Sequence, residues 1–175
     1  MLLAKKFIEK QIISLDEGRI VGTVKDFYLD ETLEHIVGIY LGSEGLLSRK
    51  PKLIKQETIR LYGIDVLFVL NSGIVVEGDE LNDIENLESW IRRDDVIKRE
   101  VQSPTGEVVG KIEDIMFDEM GQVIGFALAK VQIKGLVAEN QAIRRDVVIG
   151  VGQEKEPMVI DLVKAEQQKW SFQDK

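Results

Sequence analysis

The sequence contains no cysteine. Disulfides, thiolate zinc sites and cysteine nucleophiles are therefore excluded, and the absence fits a reducing compartment. It holds a single histidine, His35, so nucleophile–base triads have almost no raw material. Positive charge is in deficit: 23 Lys and Arg stand against 31 Asp and Glu, a formal net charge of −8. Nucleic-acid binding rests on neutralising phosphates, so this balance speaks against DNA and points to a protein partner with a basic or mixed face. Long apolar runs are missing as well. Residues 1–10 carry charges inside every apolar stretch, which is neither a signal segment nor a membrane span. The expectation is a cytoplasmic protein that does not itself insert into a membrane. The apolar fraction, 44%, is nevertheless ample for a folded core.

What is present is a repeat. Residues 18–31, GRIVGTVKDFYLDE, fall on residues 106–119, GEVVGKIEDIMFDE, at an offset of 88. Six of the fourteen pairs are identical: Gly18/Gly106, Val21/Val109, Gly22/Gly110, Asp26/Asp114, Asp30/Asp118 and Glu31/Glu119. Chance gives about one. The same register runs upstream without a gap, laying Leu2 on Trp90, Leu3 on Ile91, Ile8 on Val96 and Ile13 on Val101. Downstream, one deletion aligns Ile36–Ile39 with Val123–Phe126. A period this long is that of a duplicated domain rather than a solenoid unit.

Each copy reads as short strands. Ile12–Ser14 is followed by a turn at Asp16–Gly18, a strand over 20–29, a second turn at Asp30–Thr32 and a return strand from Ile36. Gly22 and Gly110, inside a strand, mark a bulge or a close backbone approach. Val66–Val69 is an apolar run of the kind found in buried strands. Between the copies, Leu81, Ile84, Leu87 and Ile91 recur at helical spacing in an acidic stretch, with Asp79 as its N-cap. Its apolar stripe is expected to pack on one barrel.

The doubled pattern resembles the signature of the PRC-barrel family, named for the cytoplasmic domain of the photosynthetic reaction-centre H subunit, with a related barrel in a ribosome maturation factor. The resemblance implies an all-β fold: two tandem small β-barrels, over residues 1–78 and 90–163, joined by a short helical linker at 79–89 and followed by a tail at 164–175. Separate cores are expected, and one undivided core would count against both the duplication and the family resemblance. Pro104 and Thr105 stand where the family shows an acidic turn, so that turn is expected to differ in shape. The resemblance implies docking to proteins or RNA–protein assemblies and supplies no catalytic, metal or cofactor residues.

Candidate sites are few. Gly18, Gly22, Asp26, Asp30 and their partners Gly106, Gly110, Asp114 and Asp118 read as structural, because carboxylates at turns and bulges accept backbone N–H groups and no calcium-loop spacing is present. His35 reads as a surface residue. Arg49, Lys50, Lys52 and Lys55 form a basic cluster that an acidic partner or RNA phosphates would meet, and Arg92, Arg93, Lys98 and Arg99 form a weaker one. Trp90 reads as core. Trp170 and Phe172 in the tail are candidate partner anchors. The leading reading is a non-enzymatic adaptor that binds a protein. An RNA- or ribosome-associated factor is the alternative, and a ligand-binding or enzymatic barrel with a polar cavity comes third.

Overall fold

Alternating apolar residues, frequent turn signals and the absence of long periodic helical segments produce a mostly β chain. The computed structural model describes residues 1–44, 50–153 and 156–168. The first repeat holds β1 (Leu2–Leu3), β2 (Gln11–Ser14), β3 (Ile20–Thr23), β4 (Asp26–Leu29), β5 (Ile36–Glu44), β6 (Lys50–Lys55), β7 (Ile59–Tyr62), β8 (Val66–Val69) and β9 (Val75–Val76). The second holds β10 (Ile91–Arg92), the one-turn helix α1 (Arg93–Val96), β11 (Glu100–Gln102), β12 (Val108–Phe117) and β13 (Val123–Ala129). It continues with α2 (Leu136–Asn140), β14 (Ala142–Arg144), β15 (Val148–Gly150), β16 (Met158–Ile160) and α3 (Leu162–Gln167).

The duplicated hairpins share their pairing. Ile12 lies opposite Gly22 and Ile13 opposite Ile20; likewise Val101 lies opposite Gly110 and Gln102 opposite Val108, with the same irregularity between them. Tyr28 faces Gly38 as Met116 faces Gly125. Both glycines are sites of close approach: a Cβ on Gly22 would sit 3.1 Å from the Leu41 side chain, and one on Gly110 3.1 Å from the Ala129 carbonyl. Upstream, the structure shifts the expected register by one. Leu2 occupies the place of Ile91, not of Trp90, and Glu9 and Lys98 share the same left-handed backbone, φ 67° and 70°. The extra residue lies in the first turn, Ser14 to Gly18, which is one residue longer than Ser103 to Gly106; the Pro104–Thr105 turn does differ.

Two expectations fail. Among the described residues no sheet closes on itself. The strand orders are β3-β2-β8-β7 and β10-β4-β5-β6-β9 around the first repeat, and β14-β13-β12-β11-β16-β15, with β1 added on β12, around the second. Nor are there two cores among the described residues: one apolar cluster runs from Phe7, Phe27 and Leu67 to Phe117, Phe126 and Ile160, yet the shared pairing around Gly22 and Gly110 upholds the duplication. The cause is strand exchange. β1 of the first repeat pairs with β12 of the second, and β10 of the second pairs with β4 of the first, at matching positions. The hairpin tips are bonded reciprocally too, Ile36 N–H to Gly121 O and Val123 N–H to Glu34 O, each 2.7 Å. Phe117 thereby packs among Phe7, Phe27 and Tyr62 of the other repeat, with ring centroids 5.4–6.2 Å apart. A unit of this size buries too little surface alone, and merging the cores removes that deficit.

The linker packs as expected on one repeat, with Leu81, Ile84 and Leu87 covering Tyr28 and Leu53 on the outer face of the first. It does so as two 3₁₀ turns, Gly78–Asp83 and Leu87–Ser89, and its N-cap is Glu77 rather than Asp79. Trp90 joins this cluster against Tyr28, as a core reading requires.

Candidate interaction surfaces

The motif carboxylates Asp26 and Asp114 are fully buried, and each holds the other repeat. Asp26 Oδ2 accepts the Asp94 N–H at 3.2 Å and the Arg92 Nε–H at 2.7 Å. Asp114 accepts the Lys5 N–H with both oxygens at 3.1 Å, together with Arg93 Nε and Nη2 at 3.1 and 3.0 Å. Lys5 and Asp94 occupy equivalent places, in the 3₁₀ turn Ala4–Phe7 and in α1. The two carboxylates thus satisfy each other's repeat across a pseudo-two-fold axis. Burial pushes the Asp26 carboxyl above the usual carboxylate range, partly offset by the Arg92 hydrogen bond, and its Oδ1 accepts no hydrogen bond among the described residues. A structural role for these residues is legible in their types; that they act between repeats is not.

Asp30 and Asp118 close the hairpin turns: Asp30 Oδ1 accepts the Glu34 N–H at 2.8 Å, and Asp118 Oδ1 accepts the Gln122 N–H at 2.9 Å. Exposed His35 lies 2.9 Å from Asp30 Oδ2. Gly18 and Gly106 take left-handed turn conformations, φ 63° and 85°.

The described basic side chains do not share one face. Lys52 pairs with Glu77 at 2.9 Å. Lys55 lies three residues further along β6, hence on the opposite side of the strand. Arg49 lies outside the described residues, as do Trp170 and Phe172, and Lys50 is described only by its backbone pairing with Glu44. In the second cluster Arg92 and Arg93 serve the buried carboxylates, and Arg99 donates to the carbonyls of Val151 and Gly152 at 2.7 and 3.0 Å. Lys98 sits in the left-handed turn before β11.

An apolar row on the outer face of the first repeat was missed. Ile20, Ile13, Phe68 and Leu61 are consecutive cross-strand neighbours over β3, β2, β8 and β7. Paired residues share a face, and the inward residues of the same strands are Ile12, Leu67 and Val69, so this row points away from the core. Ile20 is 56% and Leu61 53% exposed. Leu15 and Leu70, two residues beyond Ile13 and Phe68, are also exposed and extend it. The matching row of the second repeat reads Val108, Gln102, Val159 and Gly150. The signal in the sequence was a strand apolar on both parities, Val66 to Leu70, beside the doubled Ile12–Ile13. Val66–Val69 read as buried on both sides, yet only Leu67 and Val69 are buried.

Where the repeats meet the linker, a groove of about 630 Å³ opens between Glu57 of the first repeat, Ile84 and Trp90 of the linker region, and Glu119 and Met120 at the second hairpin tip. Among the described residues no group of three or more His, Asp or Glu is placed to hold a metal ion, and no helix is long and apolar enough to cross a membrane.

A family model described as the PRC-barrel domain matches residues 1–80 and, again, residues 90–167. A comparison with curated proteins finds no match.

Proposed function

The chain belongs to the PRC-barrel domain family over nearly its whole length, and from that premise we propose that it is a non-enzymatic protein-interaction module, with the first repeat carrying the docking face. The observation behind this reading is the apolar row Ile20–Ile13–Phe68–Leu61 on an outer sheet surface. Contiguous exposed apolar area of this kind on a soluble domain marks a contact site. Its counterpart carries Gln102 and Gly150 instead, so the row is not demanded by the shared fold. The alternative, RNA or ribosome association, gains no support from the described basic side chains, because Lys52, Arg92, Arg93 and Arg99 are engaged with carboxylates or carbonyls. The acidic balance of the chain points the same way.

The reading is tested by comparing wild type with an Ile20→Asp/Leu61→Asp variant in affinity capture from native lysate and in mobility shifts with RNA across a salt series. A protein recovered by wild type and lost by the variant, with the thermal melt unchanged, supports it. RNA shifted at low salt and insensitive to the two substitutions refutes it in favour of the alternative.

A further inference from the structure

The groove at the junction exists only because the repeats are joined, since its walls come from the first repeat, the linker and the second hairpin tip. Its floor includes Trp90 and Ile84, and its rim carries Glu57, Asp83, Glu85 and Glu119 against a single lysine, Lys55, among the described residues. The four carboxylates are exposed. None of them makes a salt bridge among the described residues, whereas Glu77, Asp26 and Asp114 elsewhere are matched by cations.

We propose that this groove binds a short cationic peptide segment of a partner protein, apolar side chains against Trp90 and Ile84 and Lys or Arg side chains against the acidic rim. Three considerations select that occupant. A volume of about 630 Å³ is in the range of small-ligand and peptide side-chain sites and cannot seat a folded domain. The surplus of carboxylates on the rim is complementary to a cation and repels an anion. A second copy of this chain, itself at −8, is repelled by the same field. The inference does not depend on the apolar row of the first repeat, since Ile20, Ile13, Phe68 and Leu61 do not line the groove.

The test is fluorescence anisotropy of a labelled peptide of alternating leucine and lysine, titrated with the intact chain. Saturable binding is expected, weakened about tenfold when Glu57→Gln, Glu85→Gln and Glu119→Gln are combined. It is expected to weaken further as salt rises from about 50 to about 300 mM. The same peptide with glutamate in place of lysine is expected not to bind. The substituted side chains are exposed, and an unchanged thermal melt confirms that the fold is kept. No binding, or equal binding by the triple variant, overturns the proposal. Complete displacement by an equal charge concentration of spermine also overturns it, because it reduces the site to bare cation attraction. Binding that survives the triple variant but is lost in Ile20→Asp/Leu61→Asp moves the peptide to the outer sheet: the groove assignment fails while the docking face stands.

Discussion

Asp114→Ala is the sharpest probe of how the repeats are held together. The substitution removes the acceptor for the Lys5 N–H and both bonds from Arg93. Arg93 is itself buried, 8% exposed, and among the described side chains keeps a 3.4 Å contact to the exposed Asp94. Stranding a buried guanidinium costs about 3–5 kcal/mol, and in a chain of this length that lowers Tm by about 10 °C. Asp26→Ala removes the equivalent carboxylate from a different setting. The Arg92 side chain is 30% exposed and lies 3.9 Å over the Tyr40 ring, so it retains a cation–π partner and access to water. One oxygen of Asp26 already accepts no hydrogen bond among the described residues and burial disfavours its charge, so the expected cost is about 1 kcal/mol. Urea unfolding followed by circular dichroism and tryptophan fluorescence measures both. Wild type is expected to unfold in one transition, because the apolar core is continuous. Two resolved transitions would refute the continuous core, and an Asp26→Ala cost equal to that of Asp114→Ala would refute the argument from the burial of Arg93 and the exposure of Arg92.

Other outcomes follow from the same geometry. Gly121 has φ +85°, and a Cβ there would lie 2.8 Å from the Ile36 carbonyl across the repeat junction. Gly121→Ala is expected to cost about 3 kcal/mol in urea unfolding, against about 1 kcal/mol for Gly106→Ala, which has the same φ but open space around it. Ile20→Asp and Leu61→Asp, on exposed positions, are each expected to change stability by less than about 0.5 kcal/mol; a large loss would mean that the outer row is a folding element rather than a docking face. Because burial raises the pKa of Asp26 in the folded state, the folded chain holds that proton more tightly than the unfolded one. Ionisation above the folded pKa costs stability, and the loss is recovered as pH falls through it. Asp26→Asn, which does not titrate there, is therefore expected to gain on wild type as pH rises from below the ordinary carboxylate pKa to neutrality in paired thermal melts. A difference that stays flat with pH contradicts this.

Much of the fold was legible locally. The pairing of Gly22 with Gly110 and the turns at Gly18, Asp30, Gly106 and Asp118 follow from residue types that the backbone itself demands. β8 was read to the residue, over Val66–Val69. Where the reading slipped, the information was not local. The ungapped upstream register failed because a one-residue difference sits in a turn, where length is loosely constrained. The helical linker became 3₁₀ turns because its apolar stripe follows the surface of Tyr28 and Leu53 rather than its own helical preference. The outer apolar row escaped notice because a half-buried strand and a fully buried one share the same apolar run, and only the neighbours on each face tell them apart. The acidic rim of the groove was invisible for a similar reason, since Glu57, Glu85 and Glu119 are distant in sequence.

By itself the sequence determined that one hairpin is built twice and that cysteine chemistry is unavailable, and its residue types point to turn and bulge roles for the repeated carboxylates. Only the tertiary structure decided that β1 and β10 cross to the opposite repeat. Backbone hydrogen bonds are blind to side-chain identity, so a two-residue strand such as Leu2–Leu3 carries no record of which copy it will join. The choice is made by burial: crossing merges two small cores into one and sets Asp26 and Asp114 where each must complete the other's half.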